Sequence, residues 1–205
     1  APLPTYEDDH LSVRLAYDSR TAGGHSHPQE LGSEVIAHVL KGLLIVDRKN
    51  FPEFMFKGGG GPRRAFSDLE AKQLAPILNQ ALKTASARDL VTFHWTLPDA
   101  EKGAVITSGG LFVDVPRLIV VIANCRAFPS LSYEGITAEL DTRNAPLVPY
   151  RPRAFRLGFQ DGSLLAPLEL VSGHYRFDDE NIAVAIDLER LRLAVQRSGS
   201  ATGER

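Results

Sequence analysis

Residues 91 to 125 carry the most restrictive pattern in the chain, a run in which apolar and polar residues alternate with the period of two that belongs to β-strands. Val91, Phe93, Trp95 and Leu97 alternate with Thr92, His94 and Thr96, and Pro98 to Gly103 reads as a polar turn. Ala104 to Ser108 and Leu111 to Val115 then read as two strands joined by Gly109-Gly110, a dipeptide that accepts the positive φ of a primed hairpin turn at both positions. Leu118 to Cys125 is apolar on both faces, as a central strand is. The stretch therefore predicts a meander of four antiparallel strands.

The residues before it have helical spacing. Val35, Ile36, Val39, Leu40 and Leu43 recur on one helix face behind Ser33, which is expected to cap it, while Leu43 to Val46 suits either more helix or a buried strand. Ser67-Asp68-Leu69-Glu70 is a capping box, in which hydroxyl and carboxylate satisfy reciprocal backbone donors. Leu74, Ile77, Leu78, Ala81, Leu82 and Ala85 form the stripe of that second helix, with Pro76 expected to kink it. Leu11 to Tyr17 alternates as the first strand, Leu131 to Leu140, Phe155 to Phe159 and Ile182 to Leu188 as later ones, and a short helix follows. Helices first and strands afterwards predict an α+β fold, an antiparallel meander sheet with two or three helices packed on one face. At 205 residues the chain is expected to form one domain over 1–197, with 198–205 a disordered tail poor in apolar residues.

Composition narrows the function. With 23 Lys+Arg against 25 Asp+Glu the net charge is -2, which gives no field for a nucleic-acid partner. Cys125 is the single cysteine, so an internal disulfide and every cysteine-rich metal module are excluded. No apolar stretch approaches the roughly 20 residues of a membrane span. The chain opens Ala1-Pro2-Leu3-Pro4 and holds one internal Met55, as expected of a mature product whose export signal has been removed, with or without a lipid anchor.

Candidate chemistry is sparse. His25 and His27, two residues apart in a polar loop, are the best candidate metal ligands, with Asp8, Asp9 and His10 near in sequence. No Gly-x-Ser-x-Gly elbow occurs, and Ser108 and Ser172-Gly173-His174 lack that context. Cys125 with His94 is a conceivable thiol pair, but a cysteine ending an apolar strand is expected to be buried and inert. The glycines 58 to 61 before Arg63 and Arg64 do not match a phosphate loop, and Pro62 has no amide to donate. Arg143, Arg151, Arg153 and Arg156, interleaved with Tyr150 and Phe155, suit a charged sheet edge better than a single-stranded nucleic-acid strip. No cofactor is implied.

His27-Pro28, Ala65-Phe66-Ser67, Ala81-Leu82, Leu90 to Phe93 and Ser108 to Val113 together resemble small exported or lipid-anchored envelope proteins of proteobacteria with no assigned activity, over about residues 25 to 125. The resemblance implies a periplasmic or outer-membrane location and no transferable catalytic motif. The expected function is non-catalytic: an envelope binding or assembly module, free or anchored as a lipoprotein, that recognises a protein or cell-wall ligand. Phe51, Phe54 and Phe56, with Gly58, Gly59 and Arg63, are the expected contact residues, since aromatics beside flexible glycine suit an interface. The alternative is a metal-dependent or serine hydrolase using His25, His27 and His174.

Overall fold

The computed structural model describes residues 3–19, 21, 23–47, 61–99, 101, 103–128, 143–149, 155–168 and 182–200. Among them run β1 (Leu3–Glu7), β2 (Leu11–Tyr17), α1 (Ser33–Gly42), β3 (Leu43–Asp47), β4 (Arg63–Arg64) and α2 (Asp68–Thr84). Then come β5 (Asp89–Asp99), β6 (Gly103–Asp114), β7 (Arg117–Ala127), β8 (Phe155–Phe159), a 3₁₀ turn at Gly162–Leu164, β9 (Leu165–Ala166), β10 (Ala183–Asp187) and α3 (Leu188–Ser200). The fold is α+β. Seven strands form an antiparallel sheet in the order β1-β2-β5-β6-β7-β10-β9, and β4-β3-β8 form a small second sheet.

Strand-forming residues here were chosen by what they meet. Val13, Phe93, Val91, Leu111 and Val120 sit on the face of the large sheet turned to the helices and are buried. Phe66, just ahead of α2, places its ring 6.1 Å from that of Phe93. The helix α2 presents Leu74, Leu78, Ala81 and Leu82 to this core, and α1 packs against it with Ile36, Val39 and Leu40. Burial of these side chains from both layers is the main stabilising term.

The capping box is formed as the sequence predicts: Glu70 N donates to Ser67 Oγ at 3.3 Å, and Ser67 N to Glu70 Oε2 at 2.7 Å. The helix it starts passes through Pro76 and runs unbroken to Thr84. At α1 the expected cap is corrected. Ser33 is the first helical residue and makes no capping bond; Gly32, at φ +90°, is the N-cap, a conformation that favours glycine. The side chain of Asn79 in α2 accepts from Leu31 N at 3.2 Å and Gly32 N at 3.0 Å, which fixes the chain just ahead of α1 against the neighbouring helix. Leu43 to Asp47 is strand, not continued helix, because its backbone pairs with β8 and β4. Gly42 permits this turn of direction: a Cβ there would lie 2.5 Å from the ring of Phe159.

The meander has three strands where four are expected. Gly109-Gly110 is not a turn but lies buried within the single strand β6, and the strands change direction between Asp99 and Gly103 and at the two residues Val115-Pro116. The glycines are needed for another reason. The β6–β7 register shifts between Ser108 and Gly109, a bulge at which the Val121 carbonyl oxygen comes within 2.1 Å of where a Cβ of residue 109 would stand. Leu11–Tyr17 is the second strand, since Leu3–Glu7 pairs with it as β1. The helix α3 takes in Ser198 to Ser200, the first three residues of the expected tail, while 201–205 and the strand expected at Leu131 to Leu140 lie outside the described residues.

Two predictions follow from these local contacts. Ser67→Ala should cost about 1 kcal/mol through loss of the capping hydroxyl, read as a shift in the urea midpoint at constant slope. Gly109→Ala should cost about 3 kcal/mol, since the strand must move away from a backbone oxygen, whereas Gly162→Ala, with open space around it, should leave the midpoint nearly unchanged.

Candidate functional site

Among the described residues two polar clusters are buried, and the first contains the paired histidines. The loop from Asp18 to Pro28 is fixed by its backbone: Asp18 N donates to Arg88 O at 2.8 Å, His25 N to Ala87 O at 2.7 Å and Ser26 N to Val113 O at 2.8 Å. The ladder between β5 and β6 ends at Val91 and Leu111, so Val113 has no β5 partner, and the loop supplies one. Val113 N donates to His27 Nε2 at 3.0 Å, and Val115 N to Ser26 Oγ at 3.1 Å.

His25 lies deeper. Its Nε2 is 3.2 Å from Asp18 Oδ2, with both side chains 2% exposed, and its ring lies tilted against that of Phe112 with centroids 4.3 Å apart. The rings of His25 and His27 are 5.5 Å apart, but their Nε2 atoms point to different protein partners, Asp18 and the Val113 amide. Because His27 Nε2 accepts a hydrogen bond, the neutral ring carries its proton on Nδ1. Burial, and then the neighbouring His25, push the pKa of His27 down to about 4. Asp8 and His10, near in sequence, are used elsewhere: the Asp8 carboxylate accepts from His10 N at 2.8 Å and Leu11 N at 2.6 Å, closing the β1–β2 turn. Among the described residues no group of three or more His, Cys, Asp or Glu is placed to hold a metal, and His174 lies outside them.

The second cluster was not foreseen. Strand pairing aligns Glu7, Ser12, His94, Ser108 and Asn124 in one row across β1, β2, β5, β6 and β7, on the face turned away from the helices. Ser12, His94, Ser108 and Asn124 are all buried, none more than 3% exposed. Ser12 Oγ donates to Glu7 Oε2 at 2.7 Å and accepts from Arg14 Nε at 2.9 Å. Asn124 Nδ2 donates to Ser108 Oγ at 2.9 Å, and Ser108 Oγ donates in turn to Pro146 O at 2.7 Å. Arg143 Nε binds Glu7 Oε1 at 3.0 Å, and Arg14 Nη1 binds Asn144 Oδ1 at 3.0 Å. Burial raises the Glu7 carboxyl, but the Ser12 hydroxyl and the two arginines outweigh it and hold the pKa below its usual value. Burial first, then the Arg143 cation, push His94 down to about 4, with Glu7 pulling the other way.

The other expected positions are dispersed. Arg63 is exposed on β4, its Nη1 3.9 Å from Cys125 Sγ; Phe51, Phe54, Phe56, Gly58 and Gly59 lie outside the described residues. Cys125 is 8% exposed, and burial raises its thiol pKa despite the nearby Arg63 and Arg126, as suits an inert side chain. The structure brings Arg63 to Cys125, and brings His94 to Ser12 and Ser108 instead. Arg143 belongs to the polar row, whereas Arg156 is exposed on β8 in the small sheet. An open groove of about 360 Å³ between the 3₁₀ turn and α3 is lined by Asp161, Arg190, Leu193 and Arg197, among others. No described helix is long and apolar enough to cross a membrane. Comparison of the chain with protein-family models, curated proteins and solved structures found no match.

The histidines set an acid limit on stability. Between pH 6.5 and about 4 the unfolded chain binds protons at His27 and His94 that the folded chain does not, so stability falls as the pH drops through that window. Each site should contribute a loss of up to about 3 kcal/mol, from 1.36 kcal/mol per pKa unit. Urea unfolding at pH 7.5, 6, 5 and 4 should show the loss, and His94→Gln should flatten the slope if the variant folds.

Proposed function

We propose that this chain is a non-catalytic cell-envelope protein, an α+β binding or assembly module that recognises a protein or cell-wall ligand in the periplasm or at the outer membrane. One observation carries the non-catalytic part. A serine nucleophile must present its hydroxyl proton to a base, yet Ser12 Oγ gives its single proton to Glu7 and Ser108 Oγ gives its own to Pro146 O, so neither offers one to His94 between them. The cluster spends its hydrogen bonds on holding the sheet and its covering segment together. The contact surface in this reading is the aromatic and glycine-rich stretch Phe51, Phe54, Phe56, Gly58 and Gly59, beside exposed Arg63.

The reading is tested by retention of purified protein on cell-wall sacculi and by capture from an envelope extract. Phe54→Ser with Phe56→Ser should reduce retention about tenfold while the far-UV spectrum and melting stay unchanged. Retention that ignores the double substitution, or a double variant that unfolds, would return these rings to the core and remove the proposed surface.

A further inference from the structure

The segment Arg143–Val148 lies across the buried polar row as a bound peptide would, and we propose that it is an intramolecular stand-in for a partner. In this proposal the row is a docking strip for a proline turn on another protein, with a basic residue three positions before the proline and an apolar residue after it. The inference rests on the binding-module reading and supplies the chemistry of the partner.

The way the segment is held points to exchange. Ser108 Oγ donates to Pro146 O at 2.7 Å and Asn124 Nδ2 to Val148 O at 2.9 Å, and a main-chain carbonyl is something any chain presents. The segment is a turn closed by Val148 N to Ala145 O at 2.9 Å, with proline in the position where its fixed φ favours that shape, so an incoming turn would be equally preorganised. Gly110 leaves a recess for the apolar residue: a Cβ there would lie 3.3 Å from Leu147 Cδ2. At the basic end Arg143 reaches Glu7. Apolar anchoring is confined to buried Pro146 and half-buried Leu147, since Val148 is 54% exposed and Asn144 and Ala145 are exposed too. A sheet face made for permanent cover is ordinarily apolar, whereas this one places serine, histidine and asparagine under the turn. Hydrogen bonds of this kind are replaced by water or by another turn at little net cost.

The test uses the full chain and a fluorescent peptide with the sequence of residues 141–150. Arg143→Ala, Asn144→Ala and Leu147→Ser together loosen the chain's own turn. The triple variant should bind the peptide saturably, about tenfold more tightly than the unaltered chain by anisotropy, because the internal competitor is weakened. Replacing the peptide's arginine by alanine, or adding Asn124→Ala to the protein, should each reverse the gain. Equal binding by both proteins overturns the proposal, as does indifference to the peptide's arginine. A triple variant that no longer unfolds cooperatively shows the segment to be part of the core and also overturns it, and a doubled mass shows exchange between copies instead. Should peptide binding fail while Phe54 and Phe56 still govern retention on envelope material, only the strip is lost; failure of both removes the binding-module reading itself.

Discussion

The Val121 carbonyl approaches β6 so closely that residue 109 can carry no side chain, and much of the sheet's organisation depends on that approach. At this point β7 has one extra residue, so Gly109 faces Ile122 while Ser108 faces Asn124. Without the bulge the register running from Asp114 to Gly109 would set Ser108 opposite Ala123, and Asn124 would lose its serine. The glycine thus decides which side chains meet two strands away from any loop. Its neighbour Gly110 extends the effect, since the absence of a Cβ there lets Leu147 settle over the sheet.

Hydrogen bonds within the row act mainly as specificity. Each is worth little net against water, but a buried hydroxyl or amide left unpaired costs more than the bond gains, so slipped pairings are disfavoured. The same logic applies at the histidine loop, where one imidazole nitrogen replaces a missing strand as acceptor for the Val113 amide. Burial holds His27 and His94 neutral on two parts of the sheet, so acid attacks both together.

Local signals were legible where their cause is local. The Ser67 box, the alternation of Val91 to Leu97 and the apolar run Leu118 to Cys125 each act within a few residues, and each appears in place. Gly109-Gly110 was misleading because one residue type serves two needs, positive φ in a turn and close backbone approach in a strand, and sequence shows only the residue. Ser33 is not the cap because the chain enters the helix one residue earlier, with Gly32 at φ +90° and its amide held by Asn79, more than forty positions later. The polar row was hidden for a different reason: Ser12 and His94 read as polar positions of two alternating strands, Ser108 as a residue beside an expected turn and Asn124 as one polar position in an apolar run. The pairing register makes them one feature, and the turn at Pro146 closes over Ser108 and Asn124.

The substitution of loop for strand beside Val113 bears on how the protein behaves in a crowded compartment. Where β5 stops short, a bare amide and carbonyl in mid-sheet would be a template onto which a foreign strand could add, at a place that no edge device protects. The Ser26 amide and the His27 ring occupy those two groups, and Pro28 directly behind them cannot donate to a further ladder. The loop therefore leaves no free backbone group at Val113 for a strand to pair with, and its grip depends on a ring nitrogen remaining unprotonated. Protonation of that acceptor would leave the Val113 amide without its partner and open a strand edge inside the sheet.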